Sequence, residues 1–313
     1  MTASSIHTAP VPTVLATDIG SDVDDTWALA HVLRSPELAL KMVLTETGEA
    51  SFRARVAAKL LEVAGRGDVP VALGVDFGEM PDAERHQGPW VEGYTLGDYP
   101  GAVHKDGVAA FIAFVKESPG TVNVIAIGPT PSLAEAIRRD AGIAAKCRLI
   151  GMFGSFDLGY GGSTTPAAET NVRVDPEAFR TVLSAGWKDV ALTPLDTCGL
   201  VDLDGENYHA IWGATGDALL RGLIENYCIW APRVPWMDCD FFTTRSSTLF
   251  DCVAVYMAYA EDLLEFETFS FRVTDDGYTV RDPNGPYSAR IAIRWTDLPA
   301  FENHLTRRLL GAE

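Results

Sequence analysis

The chain reads as an α/β protein in which one mainly parallel, open sheet is flanked by helices. Three observations predict this. Apolar, β-branched runs alternate with helical patterns through the first two-thirds of the 313 residues. Such alternation makes βαβ units, whose crossover helices cover both faces of a parallel sheet. Polar residues gather just after several of these runs, where open parallel sheets bind their ligands. Finally, a hydrophobic content of 47% without internal repeat or linker suits a single large core.

The elements follow in order. An apolar strand at Pro12–Thr17 leads into a helix at Asp25–Arg34, rich in Trp27, Ala28, Leu29, Ala30, Val32 and Leu33. Strands at Leu40–Thr45, Val69–Leu73, Thr121–Ile127, Arg148–Phe153 and Val190–Leu192 then alternate with further helices. Those helices are expected at Ser51–Ala64, Lys105–Glu117, Ser132–Arg139 and Pro176–Ala185. In the last third, helices near Gly216–Tyr227 and Ser247–Ala260 precede strands at Leu264–Val273, Tyr278–Val280 and Ala289–Arg294. These three strands read as a meander at one sheet edge, closed by a helix at Asp297–Leu310. Residues 1–10 read as a disordered leader and 11–313 as one domain. Two loops exceed plain connectors: 75–104, with Trp90, Tyr94 and Tyr99, and 228–246, with Trp230, Arg233, Trp236 and Arg245. Long aromatic loops of this kind are expected to be functional lids or disordered segments. An oligomer contact is the alternative, nearly as well suited to the second loop.

Composition narrows the function classes. A net charge of −18 argues against nucleic acid or an anionic membrane as the main partner. No apolar run approaches the ~20 residues that span a bilayer. The start, MTASSIHTAPVP, lacks a basic segment followed by an apolar one, so no secretory signal is read. Five scattered cysteines without a C-x-x-C pair favour reduced thiols and a cytoplasmic location.

The strongest chemical signal is Asp18-Ile19-Gly20-Ser21-Asp22-Val23-Asp24-Asp25, with four carboxylates in eight residues at the end of the first strand. Ionised carboxylates this close repel one another unless a cation offsets them. Hard divalent ions take oxygen ligands, mostly carboxylates. Other polar groups share the position after a strand: Glu46 and Glu49, the turn Gly128-Pro129-Thr130-Pro131-Ser132, and the loop Gly159–Asn171. Asp251 lies within an apolar helix beside Phe250, Cys252 and Val253, where a buried acid needs a partner.

Five segments together resemble the inosine–uridine-type nucleoside hydrolases: DIGSDVDD, AAKLLEVAGRGDVPVALG, VNVIAIGPTPSLAEAIRRD, GGSTTPAAETNVRVDPEAFRTVLSAG and TLFDCVAVYMA. The resemblance implies a nucleoside hydrolase-like fold with a Rossmann-like core. It implies Ca²⁺, rather than Mg²⁺, held by Asp18, Asp25, Asp251 and the main-chain carbonyl of Pro131. Asp24, Glu169 and Asn171 would hold ribose hydroxyls, and Asp18 would act as general base on a metal-bound water. The reaction implied is hydrolysis of an N-glycosidic bond through an oxocarbenium-like sugar. A small-molecule nucleoside is the expected partner, and a homodimer or homotetramer the expected assembly.

Four positions depart from the family pattern. Ala16 replaces an outer aspartate, Glu49 and Ser163 replace sugar-side asparagines, and Phe250 replaces a histidine that protonates the leaving base. Without that imidazole, the expected substrate is a purine-type riboside whose base stacks between aromatic rings. Trp90, Trp230, Trp236, Tyr94 and Tyr227 are candidates for the stacking. Asp22 falls in a lengthened version of the aspartate loop and would shape the turn.

Two other readings belong beside this one. A sugar-binding protein on the same fold would bind without turnover. Asp22-Val23-Asp24-Asp25-Thr26 also matches the D-x-D-x-T signature of haloacid-dehalogenase-type phosphatases.

Overall fold

The computed structural model describes residues 9–234 and 243–312. β1 (Val11–Thr17) is central, and Val14, Leu15 and Ala16 within it have no solvent exposure. From it the chain passes through α1 (Asp24–Arg34), β2 (Leu38–Thr45), α2 (Ala50–Val63), β3 (Val71–Ala72) and β4 (Val103–His104). α3 (Gly107–Glu117) returns it to β5 (Val122–Ala126) on the other flank of β1. α4 (Pro131–Arg139), β6 (Cys147–Met152), α5 (Thr170–Val174), α6 (Pro176–Leu183) and β7 (Asp189–Thr193) extend that half. Next come α7 (Leu195–Cys198), α8 (Gly205–Gly213), α9 (Ala218–Trp230) and α10 (Phe250–Met257). The chain finishes with β8 (Leu264–Val273), β9 (Thr279–Arg281), β10 (Tyr287–Trp295) and α11 (Leu298–Leu309).

The sheet runs β4-β3-β2-β1-β5-β6-β7-β10-β8-β9. Every pairing from β4 to β10 is parallel, and β8 and β9 add antiparallel strands at one edge. The expected α/β class therefore holds. The expected meander does not: β10 inserts between β7 and β8 instead of following β9 at the edge. Burial explains the choice. Ala289, Ile291 and Ala292 of β10 are buried and suit an interior strand, whereas β8 exposes Glu267, Thr268 and Arg272 and suits a flank.

Alternate residues of β1 feed two cores. Leu15 packs with Trp27, Leu61, Leu223 and Val253 on one face, while Val14 and Ala16 pack with Phe111, Leu133 and Phe179 on the other. The departure at position 16 is thus a core alanine beneath α3 and α4. Among the described residues no helix is long and apolar enough to cross a membrane.

The chain leaves β1 toward β2 and returns to β5, so the strand order reverses at β1 and a crevice opens at its carboxyl end. Gly128, just past β5, closes tightly on it. A Cβ there would lie 2.6 Å from Asp18 Oδ1 and 2.8 Å from Asp18 N, which only glycine avoids.

The loop 75–104 is no lid. It contributes β4 and a short 3₁₀ turn at Gly88–Val91, and it packs Trp90 and Tyr99 into the protein at 2% and 5% exposure.

Candidate active site

Two helices aim acidic first turns at one point. α1 begins with Asp24 and Asp25, and α10 carries Asp251 in its first turn. Carboxylates suit helix N-termini, whose free N–H groups carry partial positive charge. Packing of α1 against α10 brings Asp24, Asp25 and Asp251 together, each offering an oxygen within 4.8 Å of the others. All three are buried, at 4%, 2% and 2% exposure. Burial, reinforced by mutual repulsion, pushes their carboxyls well above the usual range. Thr17 donates its hydroxyl hydrogen bond to Asp25. Three carboxylates this close in a buried site call for a balancing positive charge.

Asp18 stands directly past β1 on the rim of this cluster. Burial raises its carboxyl, and the Arg53 guanidinium, 3.8 Å from Oδ2, counters that rise. Opposite, Glu169 caps α5 by accepting hydrogen bonds from Asn171 N at 2.6 Å and Val172 N at 3.2 Å. It also accepts one from Gly154 N at 3.1 Å, yet burial still pushes it up to about 7. The Asn171 amide donates to the carbonyls of Ile127 and Met152 at 3.2 and 3.1 Å. Asp18, Asp24, Asp25, Asp251, Glu169 and Asn171 line a cavity of about 1150 Å³, ample for a small polar ligand. Tyr160, Trp230 and Phe250 add aromatic wall, with Tyr160 and Phe250 edge to face at 6.0 Å.

The lengthened aspartate loop is held from behind. Gln87, fully buried, donates from Nε2 to the Asp22 carbonyl at 2.7 Å, while its oxygen accepts from Thr26 Oγ1 at 3.3 Å and Asn226 Nδ2 at 3.4 Å. Trp230 Nε1 donates to the Ser21 carbonyl at 2.8 Å, and His86 Nδ1 lies 3.0 Å from the same oxygen. Replacing Gln87 by leucine strands these buried partners. We expect a loss of about 1–3 kcal/mol in stability. Denaturant unfolding will show it as a lowered midpoint, and an unchanged midpoint would deny the brace.

Most of the residues singled out in the sequence meet at this cavity: Asp18, Asp22, Asp24, Asp25, Glu169, Asn171, Phe250 and Asp251 all line it. The tightest acidic trio, however, is Asp24, Asp25 and Asp251, with Asp18 beside it. Pro131 is buried at the start of α4, where the next two N–H groups, of Ser132 and Leu133, bond Glu46 at 2.7 and 3.1 Å.

Other expected residues lie elsewhere. Glu49 does not line the cavity: it pairs with Arg85 and accepts from Met80 N at 3.2 Å and Ser51 Oγ at 3.1 Å. Ser163 is exposed and accepts from Thr165 N within its own loop. Trp90 is a core residue, because its turn wedges between α2 and α9, and Lys59 covers the ring at 4.9 Å. Tyr94 bonds Glu62 at the surface, and Tyr227 is fully buried. Trp230, by contrast, does line the cavity. Trp236 lies outside the described residues.

Arg53, Gln87 and Tyr160 were not anticipated. A signal existed for Arg53: it shares a helical face with Val56, Ala57 and Leu60 and so had to be buried. The phosphatase reading fails on geometry, because β1 ends at Thr17 while Asp22 sits in the loop beyond Gly20 and Ser21, not at the strand end that reading requires.

The family model of the inosine-uridine preferring nucleoside hydrolases matches residues 13–303. Uridine nucleosidase 1 of Arabidopsis thaliana is 35% identical over 187 residues, 55% of this chain and 53% of that protein. The chain thus spans about half the length of the curated relatives it matches. Among solved structures, a plant nucleoside hydrolase superposes with a TM-score of 0.78 at 22% identity, covering 96% of this chain and 99% of the other. A purine-preferring ribonucleoside hydrolase from Gardnerella vaginalis gives 0.74 at 22% identity, covering 96% and 98%. At that identity the structural likeness speaks for the fold, whereas the family model covers nearly the whole sequence. The chain belongs to the inosine-uridine preferring nucleoside hydrolase family.

Proposed function

We propose that the protein hydrolyses the N-glycosidic bond of a purine-type ribonucleoside, giving ribose and free base, with Ca²⁺ as its cofactor. The observation that carries this reading is the meeting of Asp24, Asp25 and Asp251 within 4.8 Å, opposite Glu169 and Asn171 in one cavity. The donor set fits a hard cation, being buried, all oxygen and short of neutralising charge. Asp25 and Asp251, with Asp18 and the Pro131 carbonyl, would hold the ion. When bound, it supplies Lewis acidity that lowers the pKa of a coordinated water.

The chain's own residues do the rest. Asp18 accepts the proton of the attacking water, a role for which its rim position and the nearby Arg53 cation suit it. Asp24, Glu169 and the Asn171 oxygen orient the ribose hydroxyls, so that the anomeric carbon faces the water. The surrounding carboxylates stabilise the positive charge that develops on the sugar as the bond lengthens. No histidine lines the cavity among the described residues. The departing base therefore draws its proton from solvent while resting against Tyr160, Phe250 and Trp230. Burial pushes the Tyr160 phenol up to about 12, so it stays protonated at neutral pH.

Ribose release from a panel of inosine, guanosine, adenosine, uridine and cytidine, with calcium present, tests the reading. Purine ribosides are expected to exceed pyrimidine ribosides by about tenfold, the scale of one lost aromatic contact. Uridine turnover equal to that of the purines would overturn the purine assignment.

A further inference from the structure

A buried cation stands behind the acid-lined crevice, against Asp18. Arg53 is 3% exposed, on the first turns of α2. Its Nε donates to the Thr47 carbonyl at 2.8 Å and its Nη1 to the Ile19 carbonyl at 3.3 Å. The remaining nitrogen, Nη2, faces Asp18 Oδ2 at 3.8 Å. Thr47 holds a left-handed φ of +48°, followed by Gly48 at +60°, and a Cβ on Gly48 would come within 3.1 Å of Nη2. The guanidinium is therefore fixed between the turn after β1 and the turn after β2, with one nitrogen left for Asp18.

We propose that Arg53 is a counter-charge set behind this cavity: it fixes Asp18 in place and weakens the cavity's hold on a divalent cation. The inference rests on the calcium-dependent reading above. A fixed positive charge close to the acids opposes a second cation there, because Coulomb energy falls only as the inverse of distance in a poorly screened site. The same charge holds the Asp18 carboxylate where it can accept a proton. Arg53 is accordingly a positioning residue, and its removal should move binding and turnover in opposite directions. A plain structural brace would loosen both together.

Calorimetric titration of Ca²⁺ into metal-stripped wild type, Arg53→Gln and Arg53→Lys, alongside ribose-release kinetics, tests this. Arg53→Gln is expected to bind Ca²⁺ about tenfold tighter. Its kcat should fall at least about tenfold while the nucleoside KM changes little. Arg53→Lys keeps the charge but loses the fork, so calcium affinity should stay near wild type while kcat falls. Equal or weaker calcium binding by folded Arg53→Gln overturns the inference alone. Absence of calcium uptake by wild type overturns it together with the metal reading. Should Arg53→Gln fail to fold, Arg53→Lys decides the matter, and a wild-type kcat in that variant would sink the positioning role.

Discussion

Asp18→Asn is expected to lower kcat for ribose release by about 10²–10⁴-fold, the usual worth of a positioned proton acceptor. The asparagine keeps the shape of the side chain at the rim of the cavity but cannot take a proton from water. Its neighbours should tolerate it, since Arg53 remains anchored on the Thr47 and Ile19 carbonyls. KM should therefore move far less than kcat, the pattern of an interaction made in the transition state. Steady-state kinetics with each protein saturated in calcium, which Asp18 itself would help to hold, will separate the two parameters. A variant that keeps wild-type kcat would take Asp18 out of the chemistry. Equal background rates in both proteins would instead favour a binding protein that does not turn its ligand over.

The second large effect is expected on removal of the divalent ion. Activity should vanish with chelator and return with Ca²⁺, and the folded state should weaken at the same time. Without a cation, Asp24, Asp25 and Asp251 stay crowded within 4.8 Å in a buried site. Calcium at about 100 times its Kd would add ~2.7 kcal/mol to stability. For a chain of this size that is roughly 5 °C in the melting midpoint. Melting curves with chelator and with added Ca²⁺ measure it directly. Curves that coincide would show that these acids hold no calcium.

Much of the fold was legible in the chain because local pattern and long-range packing agree there. β8 spans the expected Leu264–Val273, and β1 extends the expected strand by a single residue at its start. β3 shrinks from five residues to two, since only Val71 and Ala72 find partners on both β2 and β4. α5, only Thr170–Val174, is too short to show a helical period and so passed for loop. α8 opens on Gly205, a residue that argues against a helix start unless its surroundings supply one. The position of β10 rests on which strand is most buried, a comparison between elements that no single segment displays.

The same division runs through the candidate site. Asp251 was legible because an acid among apolar helical residues has few innocent explanations. The aspartate loop was legible because its charges are adjacent in sequence. Gln87 was not, since its partner carbonyl at Asp22 lies 65 residues away and an amide in a polar loop carries no periodic signal. Trp90 misled for a related reason: aromatic residues in a long loop suit either a lid or a wedge, and only the seam between α2 and α9 selects the wedge. Glu49 likewise sits near the crevice in sequence order, but Arg85 draws its carboxylate aside.

The placing of β10 bears on how the protein is born. In the sheet, the β8–β9 hairpin pairs with the parallel strands by way of β10, which leaves the ribosome after both. During synthesis the hairpin must therefore wait beside an unfinished sheet whose β7 edge is bare, and bare edges invite pairing with foreign strands. The final strand thus acts as a late keystone, able to cover the β7 edge only once residues 287–295 emerge.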